Sequence, residues 1–335
     1  MKVVLIPGDG IGKEISTSLL KVAEALKCPM EWQVFEAGAE HYEESGVLYE
    51  EGLLEAIRHT GIAIKGPTAT PIGTGFRSLN VQLRKEFDAY ANIRPIQSIP
   101  GIETPYKNVN LVIFRENTED LYSGVEEVIS EEEVHALKII TRRASERIIR
   151  AAFEYAQKEG RKKVTAVHKA NIIKQADGLF LSVFDEVAKE YPRIKTEKII
   201  VDAACMKLVM NPNQFDVLVT MNLYGDILSD LCAGLVGGLG FAPSVNRGEE
   251  VSIYEAVHGS APDIAGKNLA NPTALLMAFE MLLKDYGYSK EAKILHNSLR
   301  EVIEEGLSLT PDQGGQATCT EYTNAIIQRI QDALH

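Results

Sequence analysis

Short apolar runs alternate with helical patterns along this chain, and that alternation predicts an α/β fold built on a sheet. Val3 to Ile6 is the first run, followed by a helical pattern through about Lys27. Ile62 to Lys65 is the second, and helical periodicity then covers Phe76 to Phe87. Asn110 to Phe114, Lys163 to Asn171, Ile199 to Asp202, Phe215 to Met221 and Val251 to Val257 read as further strands. Helical patterns run from Ala144 to Lys158, Gln175 to Glu190, Lys290 to Glu305 and Thr320 to Ala333, and Asn271-Pro272 opens another that reaches about Tyr286. Two β-prone runs, Val125 to Ile129 and Val134 to Ile140, flank Ser130-Glu-Glu-Glu133 and predict a projecting hairpin, an arm that needs a partner to pack on. Several strands end on a charged residue, Arg115, Lys169 or Asp202. That recurrence is expected when one cleft is lined from several strand ends.

The breakers refine this picture. Gly8-Asp-Gly-Ile-Gly12 follows the first strand and invites a dinucleotide-binding reading, but its third glycine comes one residue early for G-x-G-x-x-G. Tight strand-to-helix turning is the reading that remains. Gly66-Pro-Thr-Ala-Thr-Pro-Ile-Gly-Thr-Gly75 is too short for a linker and too rich in breakers for a helix, so it reads as an ordered site loop. Gly234-Leu-Val-Gly-Gly-Leu-Gly240 is a turn or close-packed segment, and no internal repeat or low-complexity stretch interrupts the chain.

Composition excludes some partners. The chain has 335 residues, 45% of them hydrophobic, enough for two domains or one large one. A net charge of -12 argues against nucleic acid and against an anionic membrane surface, both of which need a positive field. Cys28, Cys205, Cys232 and Cys319 are scattered without metal-ligand or disulfide spacing, which predicts a reducing compartment. With no signal-like N-terminal run and no apolar span of about 18 residues, a cytoplasmic location is expected.

Candidate chemistry centres on Asn222-Leu-Tyr-Gly-Asp-Ile-Leu-Ser-Asp230, where a strand's carboxyl end hands over to a helix. Asp226 and Asp230 are four residues apart and share a helix face. Alone, the pair reads first as a solvated acidic face; the alternative is part of an oxygen shell for Mg²⁺ or Mn²⁺. Arg84, Arg94 and Arg115 are each readable as surface charge. Three arginines near strand ends and site loops in an acidic protein can also form a polycarboxylate clamp, because guanidinium matches carboxylate in a bidentate fork.

Six motifs occur in register along the chain: Gly8-Asp-Gly-Ile-Gly12, Ala91-Asn-Ile-Arg-Pro95, Arg115-Glu-Asn-Thr-Glu119 with Tyr122, His168-Lys-Ala-Asn171, Asn222 to Asp230, and His258-Gly-Ser-Ala-Pro262. With them the whole chain resembles the isocitrate/isopropylmalate dehydrogenase family of metal-dependent β-decarboxylating hydroxyacid dehydrogenases. The resemblance implies a two-domain α/β fold of the isopropylmalate dehydrogenase kind, with a non-standard dinucleotide-binding domain and a protruding hairpin arm. Its cofactor-binding domain would be discontinuous, 1–98 plus 239–335. A dimerisation and metal/substrate domain, 99–238, would carry the arm near 120–142. It further implies a homodimer whose active sites each borrow residues from the partner. Residue by residue, it assigns a tricarboxylate substrate to Lys65, Ser78, Asn80, Arg84, Arg94 and Arg115. Tyr122 and Lys169 match the catalytic pair, and Asp202, Asp226 and Asp230 match the metal ligands, with Lys169 and Asp202 supplied across the dimer. The cofactor would lie against Thr70, His258, Gly259, Ser260, Ala261, Asp263, Ile264 and Asn271.

Two local features choose within the family. Arg77-Ser-Leu-Asn-Val-Gln-Leu-Arg84 carries a Ser-x-Asn pattern similar to isocitrate enzymes, where isopropylmalate enzymes place apolar residues. A polar pair left unmatched against an alkyl group would cost about 1–3 kcal/mol, so isocitrate is the expected substrate, ahead of homoisocitrate and 3-isopropylmalate. One departure is Ala69, where many isocitrate enzymes carry a polar residue. Asp263-Ile264 stands where NADP-using isocitrate enzymes have Lys-Tyr; an acidic side chain accepts from both ribose hydroxyls of NAD and repels a 2'-phosphate, and Pro311, Gly314 and Gly315 supply no basic or tyrosine replacement. A catalytically silent regulatory chain is the alternative from another class. Tyr122, Lys169, Asp202, Asp226 and Asp230 are all present, which weighs against it.

Overall fold

The apolar runs become strands of one sheet. The computed structural model describes residues 1–69 and 78–335. From the N-terminus come β1 (Lys2–Ile6), α1 (Gly12–Ala25), β2 (Glu31–Val34), α2 (Ala39–Ser45), α3 (Leu53–Thr60), β3 (Ile62–Lys65), α4 (Leu79–Glu86) and β4 (Ala91–Gln97). The middle of the chain supplies β5 (Asn110–Glu116), β6 (Glu126–Ser130), β7 (Glu133–Ala136), α5 (Arg142–Lys158), β8 (Lys163–His168), α6 (Ala176–Ala188), β9 (Lys195–Ile200) and α7 (Val201–Met210). Then follow β10 (Val217–Thr220), α8 (Asn222–Leu235), β11 (Pro243–Arg247), β12 (Ser252–Ala256), α9 (Thr273–Asp285), α10 (Ser289–Glu305) and α11 (Cys319–Leu334).

Ten strands pair in the order β2-β1-β3-β12-β11-β4-β5-β10-β8-β9, while β6 and β7 form a separate ribbon. The flanks are parallel, and their inner strands β3 and β10 are buried throughout, as a sheet covered on both faces requires. The centre is antiparallel, at β12/β11, β11/β4 and β4/β5. There the period-2 alternation is informative: Asn246 faces Asn92, and Asn92 faces Arg115, so one polar row crosses three strands on one face. On the other face Phe114 packs against Tyr155 of α5, ring centroids 5.2 Å apart.

Several expectations need adjusting. Asp202 is not a strand end; β9 stops at Ile200 and Asp202 lies in the first turn of α7. The second arm strand stops at Ala136 rather than reaching Ile140. β2, β11, α2, α3 and α7 are short or amphipathically weak elements that the apolar pattern does not announce. The arm's two strands are exposed along their whole length, and Val128 is 74% exposed. The four cysteines are free, and among the described residues no helix is long and apolar enough to cross a membrane.

Candidate active site

β10 delivers the chain, fully buried, to the start of α8, and the first turn of α8 is locked from its side chains outward. Asn222 accepts from Arg115 Nε at 2.9 Å and donates to the Glu119 carbonyl at 3.0 Å, while the Leu223 N–H donates to Asp120 Oδ2 at 2.9 Å. Gly225 is needed here: a Cβ would sit 2.5 Å from Arg115 Cγ. With that space left open, the Arg115 stem lies along α8 and its Nη1 pairs with Asp226 Oδ1. The other Asp226 oxygen accepts from the Tyr122 hydroxyl at 2.5 Å. Arg94 Nη1 reaches Asp230 Oδ1 at 3.1 Å and Ser229 Oγ at 2.6 Å, with its Nη2 3.7 Å from Asp226. The expected helix face is therefore real, and both carboxylates meet buried arginines.

Burial decides the electrostatics. Arg94 and Arg115 are 5% and 1% exposed, whereas the Asp230 side chain is 54% exposed, so the cations lie below and an acidic rim faces outward. Burial, reinforced by Arg115 and Arg84, lowers Arg94 to about 10. Burial also lowers Arg84, although Glu255 opposes it. At Asp226 burial pushes the carboxyl up, but Arg115, the Tyr122 hydroxyl, Arg94 and Arg84 together outweigh it and hold the group below its ordinary value. Burial and then the bond to Asp226 raise Tyr122, which keeps its proton.

A residue that the sequence reading missed sits beneath this clamp. Glu255, buried in β12, receives Lys65 Nζ at 3.1 Å and Arg84 Nη2 at 3.6 Å, and accepts from Asn246 Nδ2 at 2.7 Å. Asn92 and Asn117 each donate to Asn246 Oδ1 at 2.9 Å, and Arg94 Nε donates to Asn92 Oδ1 at 2.8 Å. One buried chain of amides thus joins Glu255 to Arg94 across the polar row. The available signal was a glutamate inside the apolar run Val251 to Val257, since a buried carboxylate requires a cation. Arg84 Nε is buried with no hydrogen-bond partner among the described residues, an unspent donor beside the clamp. Ser78 occupies the N-cap position of α4 without its hydroxyl capping the helix, and Asn80 accepts from Thr68 Oγ1 at 3.2 Å.

Lys169 and Asp202 form a second cluster. Lys169 Nζ pairs with Asp202 Oδ1, and the Lys169 N–H donates to Asp177 Oδ2 at 2.6 Å. Among the described residues no three His, Cys, Asp or Glu side chains converge as a metal cage, so Asp202 does not join Asp226 and Asp230 within one chain. The expected catalytic pair, Tyr122 and Lys169, is likewise divided: Tyr122 bonds to Asp226 and Lys169 to Asp202. What Asp226 and Asp230 offer is two partly open hard-oxygen donors with a tyrosine beside them, a set that suits Mg²⁺ or Mn²⁺ once further oxygens are added.

The model of the isocitrate/isopropylmalate dehydrogenase family matches residues 2–326. The chain belongs to that family. It is 52% identical over its whole length to a mitochondrial regulatory subunit of NAD isocitrate dehydrogenase from Dictyostelium discoideum, covering 93% of that protein. It is 51% identical to catalytic subunit 5 of the mitochondrial NAD isocitrate dehydrogenase from Arabidopsis thaliana, over 97% of this chain and 87% of the other. The crystal structure of isocitrate dehydrogenase from Methylococcus capsulatus aligns with TM-score 0.95 at 48% identity, over 98% of this chain and 99% of that one. The isopropylmalate dehydrogenase-like α/β fold is thereby shown.

The remaining residues of this family member that were matched to a cofactor lie on the segment after β12. His258 Nδ1 is 3.0 Å from the Gly259 carbonyl, and its Nε2 is buried without a hydrogen-bond partner among the described residues. Burial lowers the His258 pKa, which favours the neutral ring, and leaves Nε2 as an unused hydrogen-bonding position. Ser260 and Ala261 follow, Ala261 at φ +40°. Asp263 is exposed, and Ile264 is half-buried. Asn271 donates to Asp312 Oδ2 at 2.9 Å and accepts from the Thr273 N–H at 3.0 Å, tying the segment to the start of α9. An exposed carboxylate and an imidazole nitrogen without a partner among the described residues fit a neutral ribose and adenine better than a phosphate. Thr70 lies outside the described residues.

Proposed function

We propose that this chain is a catalytic isocitrate dehydrogenase, converting isocitrate to 2-oxoglutarate and CO₂ with reduction of NAD and dependence on a divalent cation. The observation that carries the reading is the buried trio Arg84, Arg94 and Arg115, converging beside Asp226, Asp230 and Tyr122. Three guanidinium groups in low dielectric bind a small polycarboxylate in one orientation and exclude water from it. Ser78 and Asn80, at the opening of α4, extend the polar lining where an isopropyl group would need apolar contact. Homoisocitrate and 3-isopropylmalate are the competing substrates.

Bound cation and NAD would supply, respectively, electrophilic stabilisation of the substrate's oxygens and a hydride acceptor. Asp226 and Asp230 hold the cation, with Asp202 joining from a partner, and the segment His258–Ile264 with Asn271 holds the cofactor. Lys169 takes the proton of the 2-hydroxyl. Tyr122, whose raised pKa keeps it protonated, returns a proton to carbon after CO₂ departs.

The division of Lys169 and Asp202 from Tyr122 and Asp226 supports a site completed by another chain. A second copy is our choice of partner, docked through the exposed arm and the apolar residues Met206, Val209, Met210 and Ile227 of α7 and α8. Residues 1–98 with 239–335 would then act as the cofactor lobe and 99–238 as the dimerisation lobe. The relatives are named as subunits, and one at 52% identity is regulatory while one at 51% is catalytic, so identity does not separate the roles. The intact set Tyr122, Lys169, Asp202, Asp226 and Asp230 favours the catalytic one. We keep a cytoplasmic location in this reading, with a mitochondrial one, as in those relatives, the alternative.

The test is the initial rate of nicotinamide reduction by the purified chain, with isocitrate, homoisocitrate and 3-isopropylmalate each against NAD and NADP, in Mg²⁺ and in EDTA. Metal-dependent preference for isocitrate with NAD supports every part. Another preferred acid overturns the substrate, and no turnover with any favours the regulatory role. Light scattering on the same sample reports whether the chain pairs with itself.

A further inference from the structure

Gly8-Asp-Gly-Ile-Gly12 fails as a pyrophosphate loop, and the structure explains what it does instead. Four of its five amides are committed within the protein. Asp9 N–H donates to the Pro67 carbonyl at 2.8 Å, Gly10 N–H to Glu40 Oε1 at 2.7 Å, Ile11 N–H to the Ser260 carbonyl at 2.9 Å, and Gly12 N–H to the Asp9 carbonyl at 3.0 Å. Two of those acceptors flank the site that the proposed function uses: Pro67 in the segment that follows β3, and Ser260 in the cofactor segment.

The side chain of Asp9 goes further. It is 3% exposed, and its Oδ2 accepts from the Ala69 N–H at 2.7 Å and the Ala39 N–H at 3.0 Å, while Oδ1 accepts from the Glu40 N–H at 2.8 Å. One carboxylate therefore holds the Ala69 amide against the start of α2. The glycines are there for contact distance. A Cβ on Gly8 would lie 2.1 Å from the Pro67 carbonyl oxygen, one on Gly10 2.0 Å from the Ser260 oxygen, and one on Gly38 2.4 Å from Asp9 Oδ2. All three also have positive φ, +76°, +59° and +125°.

We infer that this turn is the spacer that sets the distance between the segment Pro67, Thr68 and Ala69 on the substrate side and the adenosine-side loop, with Asp9 as the positioning residue for the first and Gly10 for the second. The inference rests on the reading of those loops proposed above. Neither residue touches the reacting atoms. Each acts through a backbone carbonyl or amide of the loop it holds, so the two should fail separately: misplacing Ala69 harms the chemical step, and pushing Ser260 away harms adenosine binding.

The experiment compares Asp9→Asn and Gly10→Ala in the full chain, reading kcat with saturating isocitrate, cation and NAD, the Kd of ADP-ribose by calorimetry, and hydrogen exchange at the Ala69 amide. Asp9→Asn keeps the shape but turns one acceptor into a donor facing backbone N–H groups. It should lower kcat about 10–100-fold, the equivalent of one charge-assisted hydrogen bond, with faster Ala69 exchange and ADP-ribose Kd within about twofold of wild type. Gly10→Ala should raise the ADP-ribose Kd about tenfold or more, with Ala69 exchange unchanged. Should Gly10→Ala not fold, Glu40→Ala, which frees the Gly10 N–H together with the exposed Lys13 ammonium, replaces it and should raise that Kd about 3–10-fold, with Lys13→Ala as the control that removes the ion pair alone. Parallel loss of both readouts in both variants, or no change in either, overturns the inference. A wild type that binds ADP-ribose without turning over isocitrate strikes the proposed function alone, and the exchange and calorimetry comparisons still decide the spacer.

Discussion

Glu255→Gln isolates the charge that holds the floor of the clamp. The carboxylate and Lys65 are 5% and 2% exposed and 3.1 Å apart, and Arg84 approaches the other oxygen at 3.6 Å. Glutamine preserves the shape but leaves Lys65 as an uncompensated buried cation, a loss of about 3–5 kcal/mol. Unfolding entropy of roughly 2.1 cal/mol/K per residue gives about 0.7 kcal/mol/K for 335 residues, so the melting temperature should fall by about 4–7 °C. Removing both partners tests the cause. Glu255→Gln with Lys65→Met should recover more than half of that drop, because the stranded charge is gone. Differential scanning calorimetry of wild type, the two single variants and the double variant closes the cycle. Additive losses, or a drop under about 1 °C for Glu255→Gln, would refute the buried-pair account.

Gly225→Ala should push the Arg115 stem off α8 and raise the isocitrate KM about tenfold, with kcat less affected; an unchanged KM means the contact is not needed. Ser78→Val with Asn80→Leu should shift the kcat/KM ratio of isocitrate to 3-isopropylmalate by about 5–150-fold, from about 1–3 kcal/mol of lost pairing, and a static ratio sinks the substrate argument. Asp226→Asn should weaken Mn²⁺ binding, read by calorimetry, by at least the roughly 10–100-fold that loss of an outer partner costs. Glu119, raised to about 7 chiefly by burial against the opposing bonds from Thr141, contributes stability that is full below the unfolded carboxyl's roughly 4.3 and is lost as pH rises through about 7. Thermal melts of Glu119→Gln should therefore be flatter than wild type between about pH 5 and 8 and higher at the alkaline end; parallel curves would remove Glu119 as the cause.

Much of the fold was legible because its inner parallel strands must be apolar on both faces. Ile62–Lys65 and Val217–Thr220 are buried throughout, the near-continuous covered run that a doubly packed parallel strand requires. The antiparallel centre was harder. β11 mixes Pro243, Ser244, Val245 and Asn246, all buried, because one of its faces carries the polar row; period-2 burial of polar groups looks like a loop when the partners are unknown. Asp202 was misplaced for a related reason, since the run Ile199 to Val201 crosses from β9 into α7 without a breaker. The paired carboxylates Asp226 and Asp230 were legible by helical spacing. Their arginine partners were legible only as a class of residue, because Arg94 and Arg115 come from different strands and meet α8 through tertiary packing.

The polar row also sets how the clamp is held. Glu255, Asn246, Asn92 and Arg94 are bonded in sequence across β12, β11 and β4, and Asn117, just beyond β5, donates into the same Asn246 oxygen. These strands carry the sheet from the residues of its N- and C-terminal segments to those of its middle. Arg94 is oriented by this row: its Nε is committed to Asn92, and its Nη groups are left to face Ser229 and the acids. Arg84 is different: its Nε has no hydrogen-bond partner among the described residues and its Glu255 contact is long. Of the three guanidinium groups, Arg84 is thus the one whose Nε is left uncommitted among the described residues, with Glu255 the carboxylate that it approaches.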